Sequence, residues 1–218
     1  MSEPRAVDRR TLLLRLEEKL NRWPRTARRQ DRVNGVLSRR QPDLTVVLEN
    51  VHDPHNLSAA LRSCDAVGVL KAHAVYTIEE PPNGAGARHI SAGAAKWVPV
   101  DQHASIAACY AALREEGFSI LVTAIGPGAR ELFEWDLTQR VAIVFGNEMR
   151  GASDEAMSLA DGMIEIPMAG MVQSLNISVA CAVCLYEAYR QRRAAGAYDA
   201  PKIEAEALHI LKEDWLHR

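Results

Sequence analysis

The sequence predicts an α/β protein with a Rossmann-like, mostly parallel sheet and helical extensions at both ends. Short apolar runs rich in β-branched residues alternate with longer runs of helical periodicity, which is typical of a parallel sheet covered by helices. With 218 residues, 48% of them hydrophobic, the chain can form one α/β domain with appendages. No apolar run approaches the roughly 20 residues that span a bilayer. Because no secretory signal is recognisable either, we expect a cytoplasmic protein.

The first 40 residues are predicted to form a basic helical arm. Apolar residues recur at helical spacing over residues 12–23, Pro24 interrupts them, and a second helix is predicted over residues 27–40. The arm carries 12 Lys and Arg against 5 Asp and Glu, whereas the rest of the chain carries 14 against 23. This asymmetry favours a polyanionic partner, most simply nucleic acid, over a solvated helical face with surplus arginine.

Six strands are predicted in the body of the chain, each as a short apolar run bounded by turn-forming residues. They cover residues 45–48, 73–78, 96–100, 118–125, 141–145 and 164–166. The fourth run ends at the turn Gly126-Pro127-Gly128, a sequence that interrupts regular structure.

Helices are predicted between these strands and at the end of the chain. Gly68 and Gly117 follow the first two helices, as is common at helix ends. Asp154 and Glu155 lie in the first turn of the third, where negative charge suits the helix dipole. The helices cover residues 56–65, 105–116, a segment beginning at Ser153, 175–195 and 202–216. The predicted divisions are the arm of residues 1–40, a domain of residues 41–197 and a C-terminal helix within residues 198–218.

Four cysteines occur, of which Cys181 and Cys184 form a C-x-x-C inside a helical pattern. A structural zinc site would need a second ligand pair, and a redox pair would follow a strand at a helix start. Buried, reduced core cysteines are therefore the favoured interpretation, and we expect no metal.

Two predicted strands end in polar, glycine-containing loops. Residues 141–145 lead into Gly-Asn-Glu-Met-Arg-Gly, and residues 163–166 lead into a loop that begins at Pro167. Because the carboxyl ends of parallel strands meet at one edge of a sheet, these loops predict a binding crevice there. Residues 146–151 lack the Lys-Ser/Thr that would complete a phosphate loop, and elsewhere Gly84-Ala-Gly86 does not complete a dinucleotide motif because residue 89 is His. The polar candidates in the two loops are Asn147, Glu148, Gln173, Ser174 and Asn176.

A third motif, N-x-x-A-x-x-R, lies on the predicted helix of residues 56–65. Asn56, Ala59 and Arg62 recur every three residues and would lie roughly along one side of that helix. Asn56 has a purely structural alternative as the helix N-cap. Arg62 stands in an otherwise apolar turn, which favours a functional role for it.

Together these three motifs, in this order, resemble those of the SpoU branch of the SPOUT methyltransferases, the RNA ribose 2′-O-methylases. The matching phrases are N-x-x-A-x-x-R, G-N-E-x-x-G and I-P-M-x-G-x-x-x-S-L-N-x-S. Neighbouring phrases such as Gln41-Pro-Asp-Leu-Thr and Cys64-Asp-Ala-Val-Gly are similar, more narrowly, to the branch that modifies tRNA guanosine. The resemblance runs from about Arg25 to the C-terminus.

The resemblance implies a C-terminal trefoil knot, which periodicity cannot show, and a homodimer with the active site near the subunit interface. It also implies that S-adenosylmethionine lies among three strand-terminal loops, held largely by backbone groups. The residues so implied are Thr123, Gly146, Ile166, Met168 and Leu175.

The implied catalytic residues are Asn56, Arg62, Glu148, Ser174 and Asn176. Ser174 and Arg62 would lie at the reacting end, Glu148 and Asn176 would line the pocket and the dimer contact, and Asn56 would support Arg62. The positive sulfur already activates the methyl group, so no metal is needed. Arginine is a poor base. Arg62 therefore either loses a proton in a desolvated site or positions the hydroxyl and a phosphate while another group takes the proton.

The substrate implied by the resemblance is guanosine 18 in the D-loop of tRNA. A SpoU relative that acts on ribosomal RNA or on the tRNA anticodon loop is one alternative, and a non-catalytic RNA-binding scaffold is another. Near the C-terminus, Arg190, Arg192, Arg193 and Trp215 would either pack on the partner subunit or assist tRNA binding, with packing favoured for Trp215. Arg150 is an additional cation close to the predicted site.

Overall fold

Seven parallel strands form the central sheet of the structure, a computed structural model that describes residues 26–82 and 93–218. Their order is β3-β2-β1-β6-β4-β7-β5, and every neighbouring pair is parallel. The predicted fold class is therefore confirmed, while the trefoil knot stays a prediction. The strands are β1 Leu44–Glu49, β2 Ala72–Val75, β3 Val100–His103, β4 Ser119–Thr123, β5 Ala129–Glu131, β6 Val141–Phe145 and β7 Gly162–Glu165.

Six α-helices accompany the sheet within the described ranges, and none of them is long and apolar enough for a bilayer crossing. The predicted helix of residues 12–23 lies outside those ranges. Two short 3-10 turns occupy Ala94–Lys96 and Leu132–Glu134. The α-helices are α1 Ala27–Leu37, α2 Pro54–Val67, α3 Ile106–Glu115, α4 Asp154–Leu159, α5 Ile177–Ala194 and α6 Ala205–His217.

Polar side chains cap four of these helices and set where they begin. Ser105 caps α3 and Ser153 caps α4, each accepting a backbone N–H at 3.1 Å. Asp53 caps α2, its carboxylate accepting from the His55 N–H at 2.8 Å. The alternative that Asn56 is the N-cap is therefore wrong, because the helix already begins at Pro54.

Two apolar layers cover the two faces of the sheet. Alternate residues of β1 point in opposite directions, so that Val46 and Leu48 join the layer beneath α2 and α5 while Val47 joins the layer beneath α3 and α4. All six residues of β1 are buried, as expected for a central parallel strand. All four cysteines are buried and free, which agrees with the interpretation of reduced core residues.

Two predicted strands differ from those in the structure. The strand predicted over residues 73–78 ends at Val75 because the Asn50 side-chain oxygen accepts the backbone N–H groups of Thr77, Ile78 and Glu79 at 2.9, 3.0 and 3.3 Å. These hydrogen bonds take the place of the backbone hydrogen bonds that would have continued β2 along the sheet. Most of the strand predicted over residues 96–100 is instead an irregular segment between the 3-10 turn Ala94–Lys96 and β3, which begins at Val100. The short, polar β5 was not predicted, since Ala-Arg-Glu carries no apolar pattern.

The described residues form two compact units. One comprises residues 38–203 and contains the sheet. The other includes α1 and α6, which pack against each other, with an Arg29 Nη2 bond to the Trp215 carbonyl at 3.3 Å. Helix α1 ends at Leu37 instead of continuing to the predicted residue 40.

Two arginines that the sequence associates with RNA are instead buried in the sheet-containing unit. Arg40 is fully buried, pairs with Asp65 at 2.5 Å and donates to the Val69 carbonyl at 2.9 Å. Arg192 is also fully buried and pairs with Asp43 at 2.5 Å. Both side chains therefore brace the fold and are unavailable to a polyanion.

Candidate functional site

The candidate site is a cavity of about 450 Å³ at the carboxyl edge of the sheet. Strands β6, β4 and β7 are neighbours there, and residues from the loops that follow all three strands line the cavity. Its size falls within the roughly 300–1,000 Å³ of small-molecule sites. The crevice predicted from the two polar loops is therefore present, and the loop after β4 completes it.

The loop of residues 146–151 is shaped by Asn147, whose side chain is buried. Its Nδ2 donates to the Asn50 carbonyl at 2.9 Å, while its Oδ1 accepts the N–H groups of Met149 and Arg150 at 2.9 and 3.3 Å. Asn147 and Gly151 also exchange backbone hydrogen bonds of 2.9 and 2.8 Å. These bonds close the loop and hold its backbone at the edge of the cavity.

Gly146 is required by the close approach of two backbone segments. A Cβ atom at this position would lie 2.0 Å from the Ala152 nitrogen and 2.1 Å from the Gly151 carbonyl carbon. Backbone atoms cannot withdraw as the end of a flexible side chain can. The absence of a side chain thus lets the loop fold back onto the end of β6.

All five residues predicted to hold S-adenosylmethionine line this cavity. Thr123 uses its hydroxyl within the sheet, donating to the Val144 carbonyl at 2.9 Å. Most of the other lining side chains are apolar, and Glu148 and Ser174 add polar groups. The predicted five are Thr123, Gly146, Ile166, Met168 and Leu175.

Three of the predicted catalytic residues form a continuous hydrogen-bonded chain. Asn56 Nδ2 donates to Glu148 Oε1 at 2.7 Å, and Asn176 Nδ2 donates to Asn56 Oδ1 at 3.1 Å. Asn176 Oδ1 in turn accepts the Ser178 N–H at 2.9 Å and caps α5. The chain joins α2, the loop after β6 and the start of α5, and its Glu148 lines the cavity.

Arg62 lies further along α2 and is exposed. Six helical residues turn the chain by about 600°, which places Arg62 roughly 120° around the helix from Asn56. It is not among the residues that line the cavity, and no described residue forms a hydrogen bond or ion pair with it. The structure therefore brings together four of the five predicted catalytic residues and leaves Arg62 facing solvent.

Arg150 lines the cavity and forms an ion pair with Glu79, Nη2 to Oε1, at 2.5 Å. The hydrogen bond from Arg150 lowers the pKa of Glu79. This pair connects the loop after β6 to the segment after β2.

Two polar residues that the sequence reasoning missed brace the site from the end of β1. Glu49 is buried, and its Oε2 accepts the Ser153 N–H at 3.0 Å. Asn50 has a left-handed φ of 54° and holds both the Asn147 side chain and the chain after β2. Their signal was the polar pair Glu49-Asn50 at the end of an apolar run, comparable to the polar pair Asn147-Glu148 that follows residues 141–145 and Gly146.

Known proteins have sequences similar to that of this chain. The sequence pattern of the SpoU rRNA Methylase family matches residues 43–186. A tRNA (guanosine(18)-2′-O)-methyltransferase of Thermus thermophilus is 51% identical over 194 residues, covering 89% of this chain and 98% of that protein. The Escherichia coli protein of the same name is 48% identical, covering 78% of this chain and 73% of that protein.

Solved structures agree with these sequence matches. The Aquifex aeolicus TrmH/SpoU tRNA modifying enzyme superposes with a TM-score of 0.79 at 36% identity, covering 87% of this chain and 95% of that chain. The SpoU methyltransferase AviRb of Streptomyces viridochromogenes, solved in complex with the cofactor AdoMet, superposes with a TM-score of 0.61 at 28% identity, covering 72% of this chain and 62% of that chain.

Proposed function

This chain belongs to the SpoU rRNA Methylase family, and from that membership we propose that it methylates the ribose 2′-hydroxyl of guanosine 18 in tRNA. The methyl donor is S-adenosylmethionine, and tRNA as substrate suits a cytoplasmic enzyme. The main observation that supports this proposal is the hydrogen-bonded chain of Asn56, Glu148 and Asn176 beside a preformed cavity. The close similarity to tRNA guanosine-18 methyltransferases over nearly the whole chain supports this substrate over ribosomal RNA.

The cavity residues fit S-adenosylmethionine. The close backbone packing at Gly146 leaves main-chain groups at the cavity edge, where they can hydrogen-bond a nucleoside without contributing charge. Apolar side chains such as Ile166 and Leu175 can pack against its adenine ring. When bound, the cofactor supplies a methyl group that its positive sulfur already activates, so the transfer requires no metal ion.

Glu148 and its hydrogen-bond partners place an oriented carboxylate beside the cavity, where the ribose hydroxyl would react. The Asn56 amide fixes one Glu148 oxygen, which leaves the other oxygen able to accept a hydrogen bond from the ribose or from Ser174. Asn176 orients Asn56 and is itself fixed at the start of α5. Such a chain restricts the carboxylate to one orientation, and correct orientation is a large part of catalysis.

Arg62 acts at the reacting end, through the 2′-hydroxyl or the adjacent phosphate. Arginine is a poor base, and its planar donor groups suit a bidentate phosphate contact. The exposure of Arg62 therefore favours the positioning role in the free chain. A role as base would require RNA or a second protein copy to exclude water from it.

A homodimer would complete this site. Val179 and Tyr186 lie seven residues apart on α5, with exposed fractions of 46% and 53%, and so form an apolar stripe on one helix face. Met171 and Val172, in the loop before α5, are 99% and 62% exposed. This apolar surface is close in sequence to Ser174 and Asn176, and a second copy covering it would approach the candidate site.

Methyl transfer to an unmodified tRNA transcript tests the proposed function. The enzyme is incubated with labelled S-adenosylmethionine, and the product nucleotide is mapped. A matched transcript with 2′-deoxyguanosine at position 18 is the control, because it lacks only the accepting hydroxyl. We expect 2′-O-methylguanosine at position 18 and no label in the control. Label elsewhere, or only in ribosomal RNA, would refute the substrate, and no label in any RNA would favour a scaffold.

A further inference from the structure

A second cluster of chemically reactive side chains lies on the other side of β1 from the cavity. His73 is on β2, His103 ends β3, and Cys109 is on α3. One possible ligand atom from each residue lies within 4.8 Å of the other two. In the sheet, β1 separates β2 and β3 from the strands that end at the cavity, so the cluster is distinct from the proposed methyl-transfer site.

The sheet register explains why the two histidines meet. Val75 of β2 pairs with His103 of β3, while His73 pairs with Asp101. Residues two apart on a strand share a face, so His73, Val75 and His103 all lie on one side of the sheet. Helix α3 covers that side, where Cys109 packs in the same apolar layer as Val75.

The bonding of His73 is incomplete among the described residues. Its side chain is almost fully buried, with 2% of the residue exposed. Its Nδ1 lies 2.9 Å from His103 Nε2, while its own Nε2 has no hydrogen-bond partner. Buried polar atoms are nearly always paired, so this arrangement fits an apolar core less well than it fits a ligand site.

The donor atoms and the nearby charges define what a ligand would have to be. Two imidazoles and one thiol offer nitrogen and sulfur lone pairs, which suit a cation and not an anion. The nearby Lys71 ammonium is paired with Asp101 at 3.1 Å and Glu116 at 3.5 Å, which offsets its repulsion of a cation.

We propose that His73, His103 and Cys109 bind one zinc-class divalent cation, with a fourth position open to water. Imidazole nitrogen and thiolate sulfur are the ligands that such cations prefer. Bonds of about 2.0 Å to nitrogen and 2.3 Å to sulfur would place the ligand atoms roughly 3.3–3.5 Å apart, so they would move together from positions that now lie within 4.8 Å of one another. Binding breaks the Cys109 S–H bond, forms a metal–sulfur bond and releases one proton to solvent. The ion ties α3 to β2 and β3 and takes no part in methyl transfer.

Cobalt(II) titration of the full-length, chelator-treated protein tests this site. A cobalt–thiolate bond absorbs in the near ultraviolet, so the probe reports both stoichiometry and the involvement of cysteine. We expect one Co²⁺ per chain with a thiolate absorption band. Zn²⁺ should displace the Co²⁺ and should raise the melting temperature of the protein.

His103→Gln is the primary variant, because His103 is only partly buried and the fold should tolerate the change. We expect its affinity for Co²⁺ to fall at least about tenfold.

Cys109→Ser and Cys184→Ser form the matched pair of thiol variants. Both thiols are buried, but only Cys109 belongs to the cluster. We expect Cys109→Ser to lose the thiolate band and Cys184→Ser to retain it, with methyl transfer unchanged in His103→Gln. The proposal is overturned if the wild-type protein binds no Co²⁺ at micromolar concentration, if Cys109→Ser keeps the band, or if His103→Gln binds as tightly as the wild type.

Discussion

The cavity and the Arg62 end of the candidate site differ in how completely one chain builds them. The cavity is lined by residues from the loops after three neighbouring strands, and its polar neighbours are hydrogen-bonded to one another. Arg62 is exposed and has no bonding partner among the described residues. A preformed cavity suits a small cofactor, whereas an unpartnered cation suits an anionic group that arrives later.

This difference separates cofactor binding from methyl transfer in physical terms. Interactions that act only in the transition state change the transfer rate and leave ground-state binding unchanged. A residue outside the cavity should therefore affect transfer alone, while a residue that shapes the cavity should affect both. Measuring both S-adenosylmethionine affinity and methyl transfer to tRNA on the same variant distinguishes a loss of cofactor binding from a loss of transfer rate.

Arg62→Ala should have the largest effect. We expect methyl transfer to fall about 1,000-fold, as for other residues that position or transfer a proton, with S-adenosylmethionine affinity and oligomeric state unchanged. Arg62→Lys keeps the charge but loses the bidentate geometry, so it should recover only a small part of the rate. Near-normal turnover of Arg62→Ala would remove this residue from the mechanism, and a parallel loss of cofactor affinity would refute the separation.

Gly146→Ala should weaken both functions. The added Cβ would lie 2.0–2.3 Å from backbone atoms of Gly151 and Ala152, so the loop after β6 has to move. A displacement of about 1 Å can reduce a rate roughly 100-fold, and we expect cofactor affinity to fall in parallel. Isothermal titration with S-adenosylmethionine measures the affinity.

Gly170→Ala is the matched control for Gly146→Ala. It makes the same chemical change in the loop after β7, but its Cβ would meet no atom within 4 Å among the described residues. We expect near-wild-type affinity and activity. Equal losses in the two variants would show that the close packing at Gly146 is not what shapes the cavity.

Elements set by local sequence patterns could be predicted from the sequence, whereas features set by contacts between distant residues could not. Strands such as residues 141–145 are buried apolar runs, and their period and bounding glycines predict them directly. The loops after β6 and β7 were predicted to form a crevice because parallel strands end at one edge. The structure places Glu148 and Ser174 in the lining of that crevice, although their catalytic roles stay predictions.

The features that were missed depend on contacts between distant residues. Asn50 ends β2 by bonding three N–H groups of another segment, which no local pattern shows. Arg40 seemed part of the basic arm, yet it is buried against Asp65. The cluster of His73, His103 and Cys109 is brought together by strand register and helix packing, and its spacing matches no short metal motif.

Asn56→Asp should have a smaller effect that tests the polar chain itself. The change removes the Nδ2 donor to Glu148 and places two carboxylates where the bond was 2.7 Å long. We expect methyl transfer to fall about tenfold, which corresponds to the lower end of the roughly 1.5–3 kcal/mol that a charged hydrogen bond is worth, with cofactor affinity nearly unchanged. Asn56→Ala, which does not add a charge, should lose less methyl-transfer rate.

Ser63→Ala is the control on the same helix, because the Ser63 hydroxyl bonds only to the Ala59 carbonyl of its own helix. A full rate in Asn56→Asp would show that the chain does not orient Glu148.

The smallest expected effect concerns the contribution of the basic arm to RNA affinity. Arg32 is an exposed residue of α1, and Arg32→Glu should weaken tRNA binding a few-fold. It should also reduce the slope of log K against log salt by about one, because one phosphate contact releases about one counterion.

Arg140→Glu is the control. It makes the same charge change immediately before β6, at the sheet edge opposite the cavity, and should leave the slope unchanged. If both variants lower the slope equally, tRNA responds to net charge alone. If only Arg32→Glu does so, the basic arm contacts the RNA backbone while the cavity and Arg62 retain the chemistry.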